Sequence, residues 1–431
     1  MPRKIAFETL GCRLNQSESD SLSAQFIEGG WNVVDFKDQA DVYVVNTCTV
    51  TNKADRTSRN TLGGPARRSP NAVVIATGCF VGSAREFFEQ RQDVTYVVEN
   101  AKKSGIFALV DAHFKGEIIP PDKLPSDLFA FTNGPRLLHT RAHIKIQDGC
   151  DNFCSFCIIP HVRGPAKSRP LSDILEEIQH TLALGYREII LTGVNISRYQ
   201  DENTNFEALL ETILQIPGDH RFRIPSIEPE NLGERFLNLI GHPRLCPHLH
   251  LCLQSGSPRI LLSMRREYTL ENYRNLVQEI RKRSPAFSIT TDVITGFPGE
   301  SLDDLEATAR AIREFGYLQT HVFKYSRREG TEADSMPFQI DEAEKTRRSQ
   351  YLHQVGQEIQ KREYELLLGQ TQTVLVESFP SPGWAKGIGE NYPPIRFYHP
   401  EALRGDFYMV KIIEVDTRGE TLHLVGERIT L

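Results

Sequence analysis

Three cysteines spaced C-x3-C-x2-C, Cys150, Cys154 and Cys157, stand in GCDNFCSFCIIPHVRG at residues 149–164. Thiolates are soft donors that suit iron–sulfur clusters or zinc. A structural zinc closes with four ligands, and His161 is the nearby candidate for a fourth. Three thiolates on a cubane cluster instead leave one iron open. That iron can chelate an amine and a carboxylate, such as those of the methionine end of S-adenosylmethionine (SAM), whose sulfonium an electron then cleaves. A second set, Cys12, Cys48 and Cys79, stands in LGC, NTC and TGC, each at or just past the end of a strand-like run. In an open parallel sheet the C-terminal strand ends share one rim, so residues far apart in sequence can converge there. Three buried core thiols are the other reading of this set.

The elements that must position these residues follow from hydropathy patterning. Residues 1–115 alternate strand-like runs (IAFETLG, DVYVVNTC, NAVVIATGC) with helical stretches, which predicts an open parallel α/β sheet. Residues 116–136 carry Pro120, Pro121, Pro125 and Pro135 and read as a linker. Residues 137–367 offer six strand candidates (HIKIQ, EIILTGV, RFRIPSI, HLHLCLQ, FSITTDVITG, LQTHVFKYS) with amphipathic helices between most of them. That predicts a partial (β/α)6 barrel, closed off by a long charged helix. Residues 368–431 hold short β runs without a helix and predict a small OB-like β-barrel. The whole is an α/β multidomain protein.

Other residues admit two readings each. In HLHLCLQSGS, Leu249, Leu251 and Leu253 alternate with His248, His250, Cys252 and Gln254, so the polar set should face a barrel interior. A zinc site of His248 or His250 with Cys246 is the sharper alternative. Arg265–Arg266 and Arg327–Arg328 suit phosphate or carboxylate, or form a solvated surface. The run TNKADRTSRNTLGGPARR sets Lys53, Arg56, Arg59, Arg67 and Arg68 against Asp55, a net of +4 in eighteen residues of a chain whose own net is −6. It is the candidate clamp for an RNA backbone. The last segment has six basic and eight acidic residues, so charge does not mark it as an RNA binder. Its aromatics Trp384, Tyr392, Phe397, Tyr398, Phe407 and Tyr408 could stack on bases or form its core.

The cysteine loop resembles the radical SAM signature, with Phe156 in the aromatic position before the last cysteine. More narrowly, QDGCDNFCSFCIIPHVRG, FETLGCRLNQSESD, VNTCTVTNKADRTSRN and ATGCF are similar to the methylthiotransferase family over almost the whole chain. They resemble the branch acting on threonylcarbamoyl-adenosine in tRNA better than those acting on isopentenyl-adenosine or on a ribosomal-protein side chain. The resemblance implies two 4Fe–4S clusters, one on Cys150/Cys154/Cys157 and an auxiliary one on Cys12/Cys48/Cys79, with SAM as co-substrate. It implies SAM contacts from Phe156, from Gly193 and Asn195 of ILTGVNIS, from Ser226 and Glu228 of IPSIEPENL and from Gln254. It places DVITGFPGE near the SAM adenine, whereas a plain tight turn is the local reading, and it gives the final segment a TRAM domain. Where the family usually has proline this chain has Cys252.

The implied reaction uses one SAM to methylate sulfur on the auxiliary cluster. A second SAM is cleaved to a 5′-deoxyadenosyl radical that starts methylthio substitution at adenine carbon 2. An unactivated aromatic C–H offers no leaving group, so a radical cofactor carries the hard step. The expected partners are a tRNA anticodon stem-loop and a low-potential electron donor of flavodoxin or ferredoxin type. A non-catalytic cluster-bearing RNA-binding protein is the alternative from another class. The first residues lack a long apolar segment and no run is long enough to span a bilayer, so a cytoplasmic location, no membrane and a monomer are expected.

Overall fold

A computed structural model describes residues 2–136, 139–419 and 421–429. The boundary expected at residue 137 lies outside them, as do Glu420 and the chain end expected to complete the last strand. The first unit contains β1 (Lys4–Thr9), α1 (Arg13–Glu28), β2 (Asn32–Val34), β3 (Val42–Thr47), α2 (Asn52–Leu62), β4 (Val73–Gly78), α3 (Cys79–Ser83) and β5 (Tyr96–Val97). Its five strands are parallel, in the order β2-β1-β3-β4-β5. Every residue of β3 and β4 is buried, as expected for strands covered on both faces.

The second unit contains β6 (Ala142–Lys145), α4 (Ile159–Arg163), β7 (Glu188–Thr192), β8 (Arg221–Ile227), β9 (Leu245–Leu251), β10 (Ser288–Thr295), β11 (Gln319–Lys324) and α5 (Glu342–Glu365). Its six strands are parallel and lie side by side in chain order, β6 to β11, without closing. This is the open half-barrel that the alternating pattern predicts. Its largest core packs Ile144, Ile189, Leu191, Phe222, Leu249, Leu251 and Ile289 of the strands against helical residues such as Ile178, Leu210, Ile280 and Ile312.

The third unit is a closed five-stranded barrel, β12 (Thr371–Ser381), β13 (Trp384–Gly389), β14 (Pro394–Tyr398), β15 (Phe407–Asp416) and β16 (His423–Arg428), in the order β12-β13-β14-β16-β15. It is fastened to the half-barrel through buried Glu188. That carboxylate is gripped by Arg221 and Arg223, whose remaining N–H groups donate to barrel carbonyls: Arg221 to Thr373 at 2.8 Å, Arg223 to Gly389 at 3.1 Å. The barrel's aromatics sort by environment. Phe397 is core, Phe407 lies under Arg187 and Arg221, Tyr392 leans on the half-barrel, and Tyr398 is 60% exposed. No helix among the described residues is long and apolar enough to cross a membrane.

Candidate functional site

Cys12, Cys48 and Cys79 all sit at the C-terminal rim of the first sheet. Cys12 is the residue that caps α1, and its side chain makes no capping bond, which leaves the thiol free. Cys48 follows β3 directly. Cys79 follows Gly78, which has φ +100°; a Cβ there would lie 2.3 Å from the Thr47 carbonyl, so only glycine lets β4 turn into α3. Gly11 holds Cys12 against Cys48 in the same way, since a Cβ on it would meet Cys48 Sγ at 2.5 Å. Cys12 is exposed at the rim, yet desolvation by its neighbours raises its thiol, and burial pushes that of Cys48 up to about 11. A cation that takes the proton's place would favour the thiolates instead.

The second triad occupies the loop after β6. Gly149, at φ +73°, is required because a Cβ would lie 2.0 Å from the Pro165 carbonyl. Cys150 N–H donates to Gly164 (3.1 Å) and Cys157 N–H to Cys154 (2.9 Å). Ser155 ties the loop to Met264 and Ser263. Burial raises all three thiols, that of Cys157 up to about 12. Phe156 packs beside Ile260, Met264 and Phe297 and forms a wall.

Gln147, which the sequence did not single out, joins this loop to the end of β7. Its amide donates to Gly149 O (2.7 Å) and accepts from Val194 N (3.0 Å) and Asn195 N (2.8 Å). Gly193 fits because a Cβ would meet the Gln147 carbonyl at 2.9 Å. Glu228, at the end of β8, pairs with Arg266, which also donates to Cys154 Sγ at 3.2 Å. Ser226 is exposed and lies 3.6 Å from Cys252 Sγ. Gln254 takes φ +62°, a strained backbone for a side-chain-bearing residue. Around this loop several buried polar atoms have no partner: Asn152 Oδ1, Asn195 Nδ2, Glu230 Oε2, Gln254 Oε1 and Arg266 Nε. Buried polar groups are rarely left unpaired, so these atoms suit a polar ligand that offers both donors and acceptors.

A single ion draws its ligands to within a few ångströms of one another. Among the described residues the group that compact is His250, Cys252 and Asp292, whose ligand atoms lie within 4.8 Å. Neither cysteine triad is. His161, the nearby candidate for a fourth ligand, packs edge-on to Phe153. Cys246, considered above with His248 or His250, sits instead beside Arg223.

The two triads meet across α4, the helix that follows Cys157. Cys79 packs against Ile158 and Val162. Arg163, at the end of α4, donates from Nε to Cys79 Sγ (3.3 Å), from Nη1 to both Asp148 oxygens (2.9 Å) and from Nη2 to Asn15 Oδ1 (2.7 Å). Glu18 of α1 completes a buried network. It takes Lys103 and Lys145 as partners and approaches Arg163 at 3.4 Å, and Lys145 also reaches Asp148 at 2.5 Å. Three cations against two carboxylates leave one positive charge beside Cys79, which would favour a thiolate there. From the far side Arg328 reaches Thr49 O (2.9 Å) and Asp55 (2.8 Å), just behind Cys48. Arg327 pairs with Asp334 and Arg265 with Glu332.

The basic run divides. Asp55, its one acid, is neutralised by Arg328, and Arg56, Arg59 and Arg67 are exposed. Arg59 lies 5.1 Å over the Phe80 ring. Arg68 is engaged internally, donating to Phe36 O (2.8 Å) and lying over the Phe36 and Tyr43 rings.

Comparison with known proteins agrees with this arrangement. Residues 4–99 match the model described as Uncharacterized protein family UPF0004, and residues 144–312 match that of the Radical SAM superfamily. The chain is 36% identical over 384 residues to threonylcarbamoyladenosine tRNA methylthiotransferase MtaB of Aquifex aeolicus (strain VF5), covering 86% of this chain and 92% of that protein. It is 33% identical to the protein of the same name from Bacillus subtilis (strain 168), covering 99% and 98%. It is 31% identical to tRNA-2-methylthio-N(6)-dimethylallyladenosine synthase of Thermodesulfovibrio yellowstonii (strain ATCC 51303 / DSM 11347 / YP87), covering 95% and 96%. Among solved structures, the radical S-adenosylmethionine methyltransferase TsrM from Kitasatospora setae superposes with a TM-score of 0.56 at 16% identity, over 78% of this chain and 77% of that one, a likeness of fold.

Proposed function

The chain belongs to the radical SAM methylthiotransferase family, and we propose that it places a methylthio group on carbon 2 of the threonylcarbamoyl-adenosine next to the tRNA anticodon. The observation that carries this reading is the meeting of two cysteine triads across one short helix, Ile159–Arg163, which follows Cys157 and packs on Cys79. The choice of substrate is supported by the relatives named for threonylcarbamoyladenosine, at 31–38% identity. A dimethylallyl-adenosine substrate is the second reading, supported by relatives so named at 31–33%.

Cys150, Cys154 and Cys157 hold one 4Fe–4S cluster, and Cys12, Cys48 and Cys79 hold the other. When bound, the clusters and SAM supply the electron, the radical, the methyl group and the sulfur. The protein's own part is to position and shield. Gly193 and Asn195 present the end of β7 to SAM, with Val194 and Asn195 N–H groups fixed on Gln147. Glu228, Ser226 and Gln254 line the polar interior, and Phe156 walls the loop. Arg266 steadies Cys154 and orients Glu228. Arg163 fixes Cys79 toward the loop of the other triad. Arg56, Arg59 and Arg67 meet the RNA backbone, with Arg68 contributing least because its guanidinium is engaged. A low-potential one-electron donor of flavodoxin or ferredoxin type completes the system.

The test is anaerobic reconstitution with iron and sulfide, followed by incubation with SAM, a reductant and anticodon stem-loops bearing threonylcarbamoyl-, dimethylallyl- or unmodified adenosine. Nucleoside mass spectrometry should find the methylthio group on the threonylcarbamoyl RNA. Product on the dimethylallyl RNA instead would transfer the assignment to the second reading.

A further inference from the structure

A chain of polar groups from all three units leads from the auxiliary triad into the half-barrel. Arg13, the residue after Cys12, is exposed and has no acidic partner among the described residues. Its guanidinium donates to the Tyr392 hydroxyl and lies 5.6 Å over that ring. Tyr392 comes from the β13–β14 turn and takes φ +83°. It stacks on His248 with centroids 4.2 Å apart and planes 11° from parallel. His248 Nε2 and His250 Nδ1 share the Thr290 hydroxyl, at 3.1 and 3.0 Å. His250 Nε2 lies 3.3 Å from Asp292 Oδ1, and the His321 ring is 5.8 Å from that of His250. His321 in turn lines an open groove of about 850 Å³ between β11, α5 and the residues Thr417, Gly419 and Thr421, so this interior reaches solvent.

An unpaired cation, two imidazoles and a carboxylate are a costly surface on which to lay a hydrocarbon. They complement a substituent that brings its own anion and N–H and O–H donors. A threonylcarbamoyl group has a carboxylate, a hydroxyl and two ureido N–H groups. Its position is constrained as well. Carbon 2 must face the auxiliary triad, to which Cys12 belongs, so the substituent on N6 extends from the same ring, about one base-width from Cys12. Arg13 adjoins Cys12.

Resting on the substrate reading above, we propose that Arg13 receives the carboxylate of the threonylcarbamoyl group, and that His250, His321 and Asp292 receive its hydroxyl and ureido groups. This makes Arg13 the residue that separates an anionic N6 substituent from an isoprenoid one. The rival assignment for Arg13 is a backbone phosphate.

The experiment is equilibrium binding of the reconstituted protein to three stem-loops that differ only in the adenosine: threonylcarbamoyl, unmodified and dimethylallyl. Wild type should prefer the first. Arg13→Gln should weaken binding of that RNA about 10- to 100-fold, the range of a lost charge-assisted hydrogen bond, and leave the unmodified RNA unchanged. Arg13→Lys should keep part of the preference. Equal weakening on all three RNAs assigns Arg13 to phosphate and overturns the proposal, as does an unchanged preference. Iron and sulfide content reports whether Arg13→Gln disturbs the neighbouring triad. If it does, Tyr392→Phe, which removes the hydroxyl that positions the Arg13 guanidinium while leaving every residue of the first unit unchanged, must lower the same preference for the proposal to stand. A wild-type protein that prefers the dimethylallyl RNA overturns the substrate reading itself, before any variant is made.

Discussion

Glu18→Gln should be among the most damaging single substitutions outside the cysteines. Glu18 is 1% exposed and serves three cations, Lys103, Lys145 and Arg163. Burial alone would raise its carboxyl, but the three cations more than reverse this and hold it well below the usual range. Lys145 and Arg163 keep Asp148 after the substitution, whereas Lys103, which is 0% exposed, keeps no carboxylate, only neutral acceptors such as Asn46 Oδ1 at 3.1 Å. Removing one partner of a buried pair costs about 3–5 kcal/mol. The assay is denaturant unfolding followed by Trp31, in a Trp384→Phe background that leaves it the only tryptophan. The pH dependence is a second readout. Burial already lowers the Lys103 ammonium, and without Glu18 it falls further. The unfolded chain then binds a proton that the folded one lacks, so the variant gains stability as pH rises above the folded value, up to the ordinary lysine range. In wild type, the Glu18 contribution is present above the ordinary carboxylate range and is lost as pH falls through its lowered value. Adding Lys103→Met should recover much of the loss. A cost under about 1 kcal/mol, or strict additivity in the double variant, would refute the reasoning.

Replacing Cys150, Cys154 and Cys157 with Ala should halve bound iron and sulfide and abolish 5′-deoxyadenosine formation. The same change at Cys12, Cys48 and Cys79 should spare 5′-deoxyadenosine and abolish methylthio transfer, and iron equal to one cluster in wild type would defeat both expectations. Arg56, Arg59 and Arg67 changed together to Ala should weaken stem-loop binding and flatten its salt dependence, by roughly 0.7–0.9 in log–log slope per lost phosphate contact. Gly149→Ala should cost iron at the second triad with the fold retained by circular dichroism, because the new Cβ collides with the Pro165 carbonyl.

The cysteines were legible because each triad carries a local mark: fixed spacing in one, an apolar run ending in small residues and Cys in the other. The parallel sheets were legible because β3 and β4 open on the apolar runs Val42–Val45 and Val73–Ala76 and the half-barrel strands alternate with helices. The buried network was not. Glu18 stands 85 residues from Lys103 and 127 from Lys145, and no periodicity links them. It lies in α1, where Asn15, Ser17, Ser19, Ser21 and Ser23 are also buried. A helix that buries its polar residues looks like a surface helix until the unit covering it is known. The basic run shows the same limit, since nothing in the sequence separates Arg68, held on Phe36 and Tyr43, from exposed Arg67.

Each cysteine of the first triad has a neighbour, or is itself, clasped by a group from another unit. Arg163 takes Cys79 itself, Arg328 takes the carbonyl after Cys48, and Tyr392 takes the side chain after Cys12. The first unit therefore cannot be traded between relatives as a self-contained cassette. A chimaera that imports it without its matching residues at 163, 328 and 392 inherits the ligands but not their setting. A change at any of these distant positions therefore alters the setting of a cysteine as directly as a change within its own loop.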